Sequence, residues 1–161
     1  MGFDYSTLIT DRTDADFERW QTLRNKGWVN MTSDERAEWA AGMKGAYNKT
    51  DLTRVGNALN DLRDRLAEAS YMSPNAFVAK TSWEVGEVPT GADLTHYLFC
   101  VSAIRDAMAQ FPTTPPTPED TGGLSIQEAN DIEQIALDID RLIKNMLAAR
   151  YYSGDLYSGE V

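Results

Sequence analysis

Apolar residues recur at alternating steps of three and four in three separate stretches. That spacing predicts three long helices, each with one face turned toward a partner. The clearest stripe is Ile132, Ile135, Ile139, Leu142 and Met146, opened by Ser125 with Glu128 three residues on. In such a capping box each side chain satisfies a backbone N–H at the helix start. Leu52, Val55, Leu59, Leu62 and Leu66 form an earlier stripe, with Thr50 as its predicted cap. Asp51, Arg54, Asp61, Arg63, Asp64, Arg65 and Glu68 fall on its other side and read as a solvated face. Thr90 with Asp93 opens the third, carried by Leu94, Tyr97 or Leu98, Val101, Ile104 and Met108.

Two shorter helices are predicted ahead of these. Thr13 followed by Asp14 and Asp16 is an N-cap with acids in the first turn, where they favour the positive helix end. Phe17, Trp20 and Leu23 give that helix an apolar side, and it stops near Gly27. Thr32 and Glu35 form another capping box for a brief helix through Trp39 to about Ala41, broken by Gly42 and Gly45. Residues 1–12 read as an irregular lead-in. Pro74 and Pro89 bracket a partly alternating run from Phe77 to Val85, expected as an extended crossing segment pinned by Trp83. Phe111 to Gly123 holds Pro112, Pro115, Pro116 and Pro118 and is the clearest linker, extended rather than helical.

After Arg150 the pattern changes. Tyr152-Ser153-Gly154-Asp155-Leu156 is followed by the similar Tyr157-Ser158-Gly159-Glu160, with hydroxyls, acids and no apolar period. We expect an extended tail that lies along a neighbouring subunit through Tyr151, Tyr152, Leu156, Tyr157 and Val161. The alternative is a frayed chain end. The expected architecture is all-α: a helical bundle of three long helices plus two short N-terminal helices, one extended crossing segment and an extended C-terminal tail. Its units are short helices and lead-in at 1–49, a bundle core at 50–151 and a docking tail at 152–161.

Composition narrows the function classes. With 25 acidic against 15 basic residues the formal charge is −10, so a nucleic-acid backbone would be repelled. Hydrophobic residues at 42% suffice for one core. No apolar run approaches the roughly 20 residues a membrane helix needs. The start lacks the basic and apolar regions of a secretion signal. Its Met-Gly-x-x-x-Ser pattern matches an acylation motif loose enough to recur by chance. Cys100 is the single cysteine, which excludes an internal disulfide and a cysteine metal cage. His96 is the single histidine and removes paired-histidine metal motifs.

The remaining motifs read better as structure than as chemistry. Gly42-Met43-Lys44-Gly45 has the spacing of a backbone-clamping GxxG loop, without the strands and basic surface that loop needs. Asn30-Met31-Thr32 and Asn48-Lys49-Thr50 fit glycosylation sequons but sit beside helix caps. Glu128, Asp131, Asp138 and Asp140 are expected on a solvated face, because a di-metal bundle would pair such acids with histidines. His96 has no partner to orient it as a general base, and Cys100 sits among apolar neighbours as a core residue. Trp20 and Trp39 fit helix faces and are expected in the core. We therefore expect a protein that is not an enzyme and holds no cofactor or metal.

Three blocks together carry a resemblance. They are Leu8-Ile9-Thr10-Asp11-Arg12-Thr13 with Ala15-Asp16; Gly42 to Asn48 with Asp51-Leu52 and Arg54-Val55-Gly56; and Glu128 to Glu133 leading to Tyr152 through Glu160. Lys80-Thr81-Ser82-Trp83 and Val88-Pro89-Thr90 lie between them. The set resembles small proteins encoded in the tail-gene regions of phages and prophages from Gram-positive gut bacteria, over most of the chain. The resemblance implies a virion protein assembled in the host cytoplasm, with other virion proteins and copies of itself as partners and a tail, baseplate or fibre role. It brings no catalytic residues. A module that binds host cell-wall glycans through exposed aromatics, and a small infection-stage regulator, are the other readings.

Overall fold

A computed structural model describes residues 2–84, 87, 89–119 and 123–157, the last seven by their backbone alone. All regular structure among them is helical. α1 spans Asp14–Lys26, α2 Ser33–Ala41, α3 Lys49–Glu68, α4 Gly91–Asp106 and α5 Ile126–Tyr157, with single 3-10 turns at Tyr5–Thr7 and Trp28–Asn30. The all-α expectation holds. Capping boxes form at Thr13 with Asp16, Thr32 with Glu35 and Thr90 with Asp93. At α5 the Ser125 N–H donates to Glu128 Oε2 at 2.7 Å and the Glu128 N–H to Ser125 Oγ at 3.2 Å. The start of α3 differs from expectation. Asn48, not Thr50, is the cap: its Oδ1 accepts from the Thr50 N–H at 2.8 Å, and Asp51 accepts from the Asn48 N–H at 2.9 Å. Asparagine caps at least as well as threonine, and the acid three residues on completes the box.

α3, α4 and α5 pack pairwise around one core. Val55, Leu59, Leu62, Leu66, Val101, Ile104, Ile132, Ile135, Ile139 and Ile143 are essentially closed to solvent. Ion pairs fix direction: Arg54 of α3 meets Glu133 of α5, and further along both helices Arg65 meets Asp140. α3 and α5 are therefore parallel. The opening residues of α4 share a cleft with those of α3 and α5, which puts three N-termini at one end. Parallel neighbours need long crossovers, and residues 69–90 and 107–125 supply them.

Both crossovers are held to the helices they cross. Asn60 acts toward the first as a strand would: its Nδ2 donates to Ala79 O and its Oδ1 accepts from the Ala79 N–H, both at 2.9 Å. Arg63 donates to Phe77 O at 2.7 Å, and His96 Nε2 lies 2.9 Å from Val78 O. Phe77, Ala79 and Trp83 point inward, whereas Val78 is 70% exposed, the alternation of an extended segment. Val85 and Val88 lie outside the described residues. In the proline-rich crossover, buried Thr114 donates to Asp138 at 2.7 Å and Arg105 to Pro115 O at 2.7 Å. α1 and α2 bury a small satellite cluster of Leu23, Met31 and Met43, with Trp20 and Trp39 half-buried against it. Cys100 is a core residue whose thiol burial pushes up to about 11.

Three further expectations are corrected. The polar side of α3 is not a solvated face: Asp51 is buried, Arg54 and Arg65 are largely covered, and only Asp64 and Glu68 stand exposed. Likewise Asp138 and Asp140 of α5 are buried and paired. α5 is enclosed on nearly every side from Ala129 to Ile143, because the lead-in and the proline-rich crossover cover the flanks that α3 and α4 leave open. Over residues 152–157 the tail is not extended: the backbone stays helical through Tyr157. Adding a residue to an existing helix needs no new nucleus, and Gly154 opposes it by only about 1 kcal/mol. Val161 lies outside the described residues.

Gly56 shows how tightly the first crossover sits. A Cβ there would stand 2.5 Å from Lys80 O. Gly56→Ala is expected to destabilise by about 1–3 kcal/mol although alanine is the better helix former. A urea midpoint that rises or stays put would contradict this close approach.

Candidate functional site: an aromatic cleft above a buried ion cluster

The lead-in is tied to the bundle by charge. Glu133, with no exposed surface, accepts from the Ile9 N–H at 2.7 Å, from Arg12 at 2.5 Å and from Arg54 at 2.9 Å. Asp51 accepts from the same two guanidiniums, at 3.0 Å from Arg12 and 2.6 Å from Arg54. Two carboxylates thus face two guanidiniums and the cluster is neutral. Neutrality and a dense set of charge-assisted hydrogen bonds make its burial tolerable. Arg12 also donates to Ile9 O, and its backbone exchanges two hydrogen bonds with the Asn130 amide, at 3.0 and 2.9 Å. A second clasp holds the start of the lead-in, where Phe3 N–H and Tyr5 Oη both donate to Asp61.

Above the cluster lies a cleft of about 700 Å³ with mainly apolar walls. α1 contributes Phe17 and Trp20, the loop before α3 Tyr47, the first crossover Trp83 and Pro89, α4 Leu94 and Tyr97, the end of the second crossover Leu124, and the start of α5 Ile126, Gln127 and Ala129. Arg12 forms part of its lining, with its guanidinium 5.3 Å from the Tyr47 ring centre. Gly45 lets the wall close: a Cβ there would meet the Asp16 backbone at 2.0 Å. The Lys80 ammonium sits over the Trp83 ring, 3.8 Å from its centre. Tyr47 and Tyr97 share a short hydrogen bond between their hydroxyls. Burial first, and the nearby carboxylates of Glu133 and Asp51, hold both phenols well above the ordinary tyrosine range.

Two buried side-chain nitrogens have no hydrogen-bond partner among the described residues: Arg12 Nε and Trp83 Nε1. Both residues line the cleft. Nothing in the sequence pattern singled out this site. Arg12, Tyr47, Trp83 and Ala129 fall in blocks quoted for the resemblance, but no spacing rule joins a lead-in, two loops and three helix starts. Of the expected partner-binding residues, Tyr151, Tyr152, Leu156 and Tyr157 lie on the last turns of α5, and Val161 is outside the described residues. The structure does not bring them to the cleft. Among the described residues no three His, Cys, Asp or Glu side chains gather so as to hold a metal ion. No described helix is long and apolar enough to cross a membrane.

The fold and site define a class: an all-α bundle of parallel long helices with an aromatic cleft at their common N-terminal end. Comparison with known proteins finds no matching family model, no similar curated protein and no similar solved structure.

Glu133→Ala is expected to cost about 3–5 kcal/mol by leaving two guanidiniums against the single carboxylate of Asp51, and Arg54→Met in the same chain should recover part of that loss. A double-mutant cycle in urea measures the coupling. The phenol pair sets an alkaline limit. Unfolded tyrosine ionises near pH 10, whereas the folded pair keeps its protons past that point. Stability is complete below about pH 10 and falls above it by about 1.4 kcal/mol per pH unit for each such phenol. Tyr97→Phe should flatten the dependence when unfolding is measured between pH 9 and pH 11.

Proposed function

We propose that the protein is a non-enzymatic structural or adaptor protein of a phage tail, baseplate or fibre region, assembled in several copies through α5. The observation that carries this reading is the reach of α5 past its own bundle. Ile143 is the last buried one among its described side chains, Leu147 is 42% exposed, and residues 147–150 are all open to solvent, while the backbone stays helical to Tyr157. At 1.5 Å per residue the helix runs about 15 Å beyond Leu147. A helix end like the exposed turn at 147–150 gains most of its stability from packing on something else. A second copy offering the same apolar stripe is the simplest occupant, and repeated copies are what a tail component requires. The sequence blocks that resemble phage tail-region proteins supply the context. The docking element becomes a helix end rather than an extended strap.

Truncation after Arg150 tests the docking element. The expected product is a folded monomer by circular dichroism and light scattering, beside a full chain that self-associates. Self-association that survives truncation would sink the α5 contact. Mass spectrometry of gradient-purified particles tests the context: several copies per particle are expected. Absence from clean particles would move the reading to an intracellular regulator. A second reading, a module for host cell-wall glycans, draws on Trp28, which is 52% exposed with Arg36 against its ring. It requires binding to isolated host cell walls that Trp28→Ala removes.

A further inference from the structure

We propose that the aromatic cleft at the N-terminal end of the bundle receives the C-terminal end of α5 from a second copy, so that the chain assembles head to tail. This rests on the reading that α5 docks on another copy, and it names the surface of that copy that takes it. The two surfaces lie at opposite ends of the molecule. Ala129 lines the cleft, and Leu147 opens the exposed turn of α5 about 27 Å further along one unbroken helix. α5 therefore cannot turn its own end back into its own cleft, and the occupant comes from another molecule. Such a contact between unlike surfaces repeats, giving a ring where the rotation closes and a filament where it does not.

Shape and polarity match first. The cleft volume of about 700 Å³ falls among ligand-sized pockets, roughly 300–1,000 Å³, with room for several side chains of a helix end. Its apolar walls reach solvent: Phe17 is 38% exposed, and Trp20, Leu94 and Leu124 are half-buried. A helix laid in such a groove anchors through apolar residues three and four apart. α5 offers Leu147, and the sequence continues with Tyr151, Tyr152, Leu156 and Tyr157.

Charge decides between this partner surface and a second α5. From residue 141 to 157 the chain holds three bases, Arg141, Lys144 and Arg150, against one acid, Asp155, in a protein of net charge −10. Asp140 just before them is buried and shared between Arg65 and Lys144. Two such ends side by side place like charges together, which disfavours an α5-on-α5 contact. The cleft has the opposite sign. Asp14 lines it, stands exposed and pairs with no cation among the described residues. Asp93 also lines it, and hydrogen bonds from Thr90 keep its carboxyl below the usual range and so charged at neutral pH. Lys80 lies 3.8 Å from Asp93 but is taken up by Glu87 at 2.5 Å. Arg12 is the one cation among the described lining residues, and Asp51 and Glu133 neutralise it together with Arg54. The capping acids Asp51, Asp93 and Glu128 offset the positive ends of α3, α4 and α5.

The test is complementation between two half-defective chains, followed by sedimentation velocity. One is the full chain carrying Asp14→Lys and Phe17→Lys, which spoils the cleft and keeps α5. The other is the chain truncated after Arg150, which keeps the cleft and loses the end of α5. Circular dichroism checks that each is folded; Asp14→Lys alone, at an exposed position, replaces the double variant if that one is not. The unaltered chain is expected to grow past the dimer as concentration rises. The double variant should associate about tenfold or more weakly, and Asp14→Lys alone about two- to fivefold. At concentrations where each half-defective chain is monomeric, an equimolar mixture should form a one-to-one dimer and nothing larger. A mixture that stays monomeric overturns the proposal. So does a cleft variant that associates as tightly as the unaltered chain while truncation abolishes association; that result pairs α5 with α5 and leaves the assembly reading standing. Association that survives truncation, or an unaltered chain that stays monomeric, removes the assembly reading and this proposal together.

Discussion

Glu133 is the constraint on which the rest of the molecule depends. A carboxylate with no exposed surface in the middle of a central helix must be met by cations and N–H donors, since an unpaired buried charge is more costly than a domain of this size can carry. α3 provides Arg54, but one guanidinium does not fill the oxygens. The lead-in provides Arg12 and the Ile9 N–H. A segment with almost no regular structure is thereby fixed across α3 and α5, and α1 begins two residues after Arg12, capped by Thr13. The near wall of the cleft is positioned by the same contacts, because α1 carries Phe17 and Trp20 into it.

The parallel arrangement of α3, α4 and α5 is the second determinant. Helices that run the same way cannot be joined by short turns, so two long connections cross the bundle and must satisfy their own backbone groups. They do so through side chains of the helices: Asn60 completes a strand-like exchange with Ala79, Arg63 takes Phe77 O, and Arg105 takes Pro115 O. The same arrangement gathers three helix starts at one end, with their capping acids and dipoles around a common apolar space. An antiparallel bundle of the same helices would have scattered them.

Much of this was legible in the chain. Three-four spacing located α3, α4 and α5, and the capping pairs at Thr13, Thr32, Thr90 and Ser125 placed four helix starts to the residue. These signals are local: a cap or an apolar stripe depends on residues within a turn or two. The alternation from Phe77 to Trp83 marked an extended crossing for the same reason. Polar positions were misread where tertiary partners decided them. Asp51, Asp138 and Asp140 look like ordinary surface acids until Arg12, Thr114 and Arg65 arrive from elsewhere in the chain. Residues 151–157 look extended because they lack apolar period, but a helix already formed upstream carries them along.

By itself, then, the sequence determined an acidic all-α protein, where its helices start and which faces are apolar, since those properties follow from neighbours along the chain. Only the tertiary structure decided that the three long helices are parallel, that a four-charge cluster lies buried beneath the lead-in, and that Arg12 and Trp83 meet along one aromatic cleft. Those features join residues as much as 121 positions apart, as in Arg12 and Glu133. Burial and pairing at such separations belong to the packed fold, because the cost of an unpaired charge or donor is set by what surrounds it and not by its place in the chain.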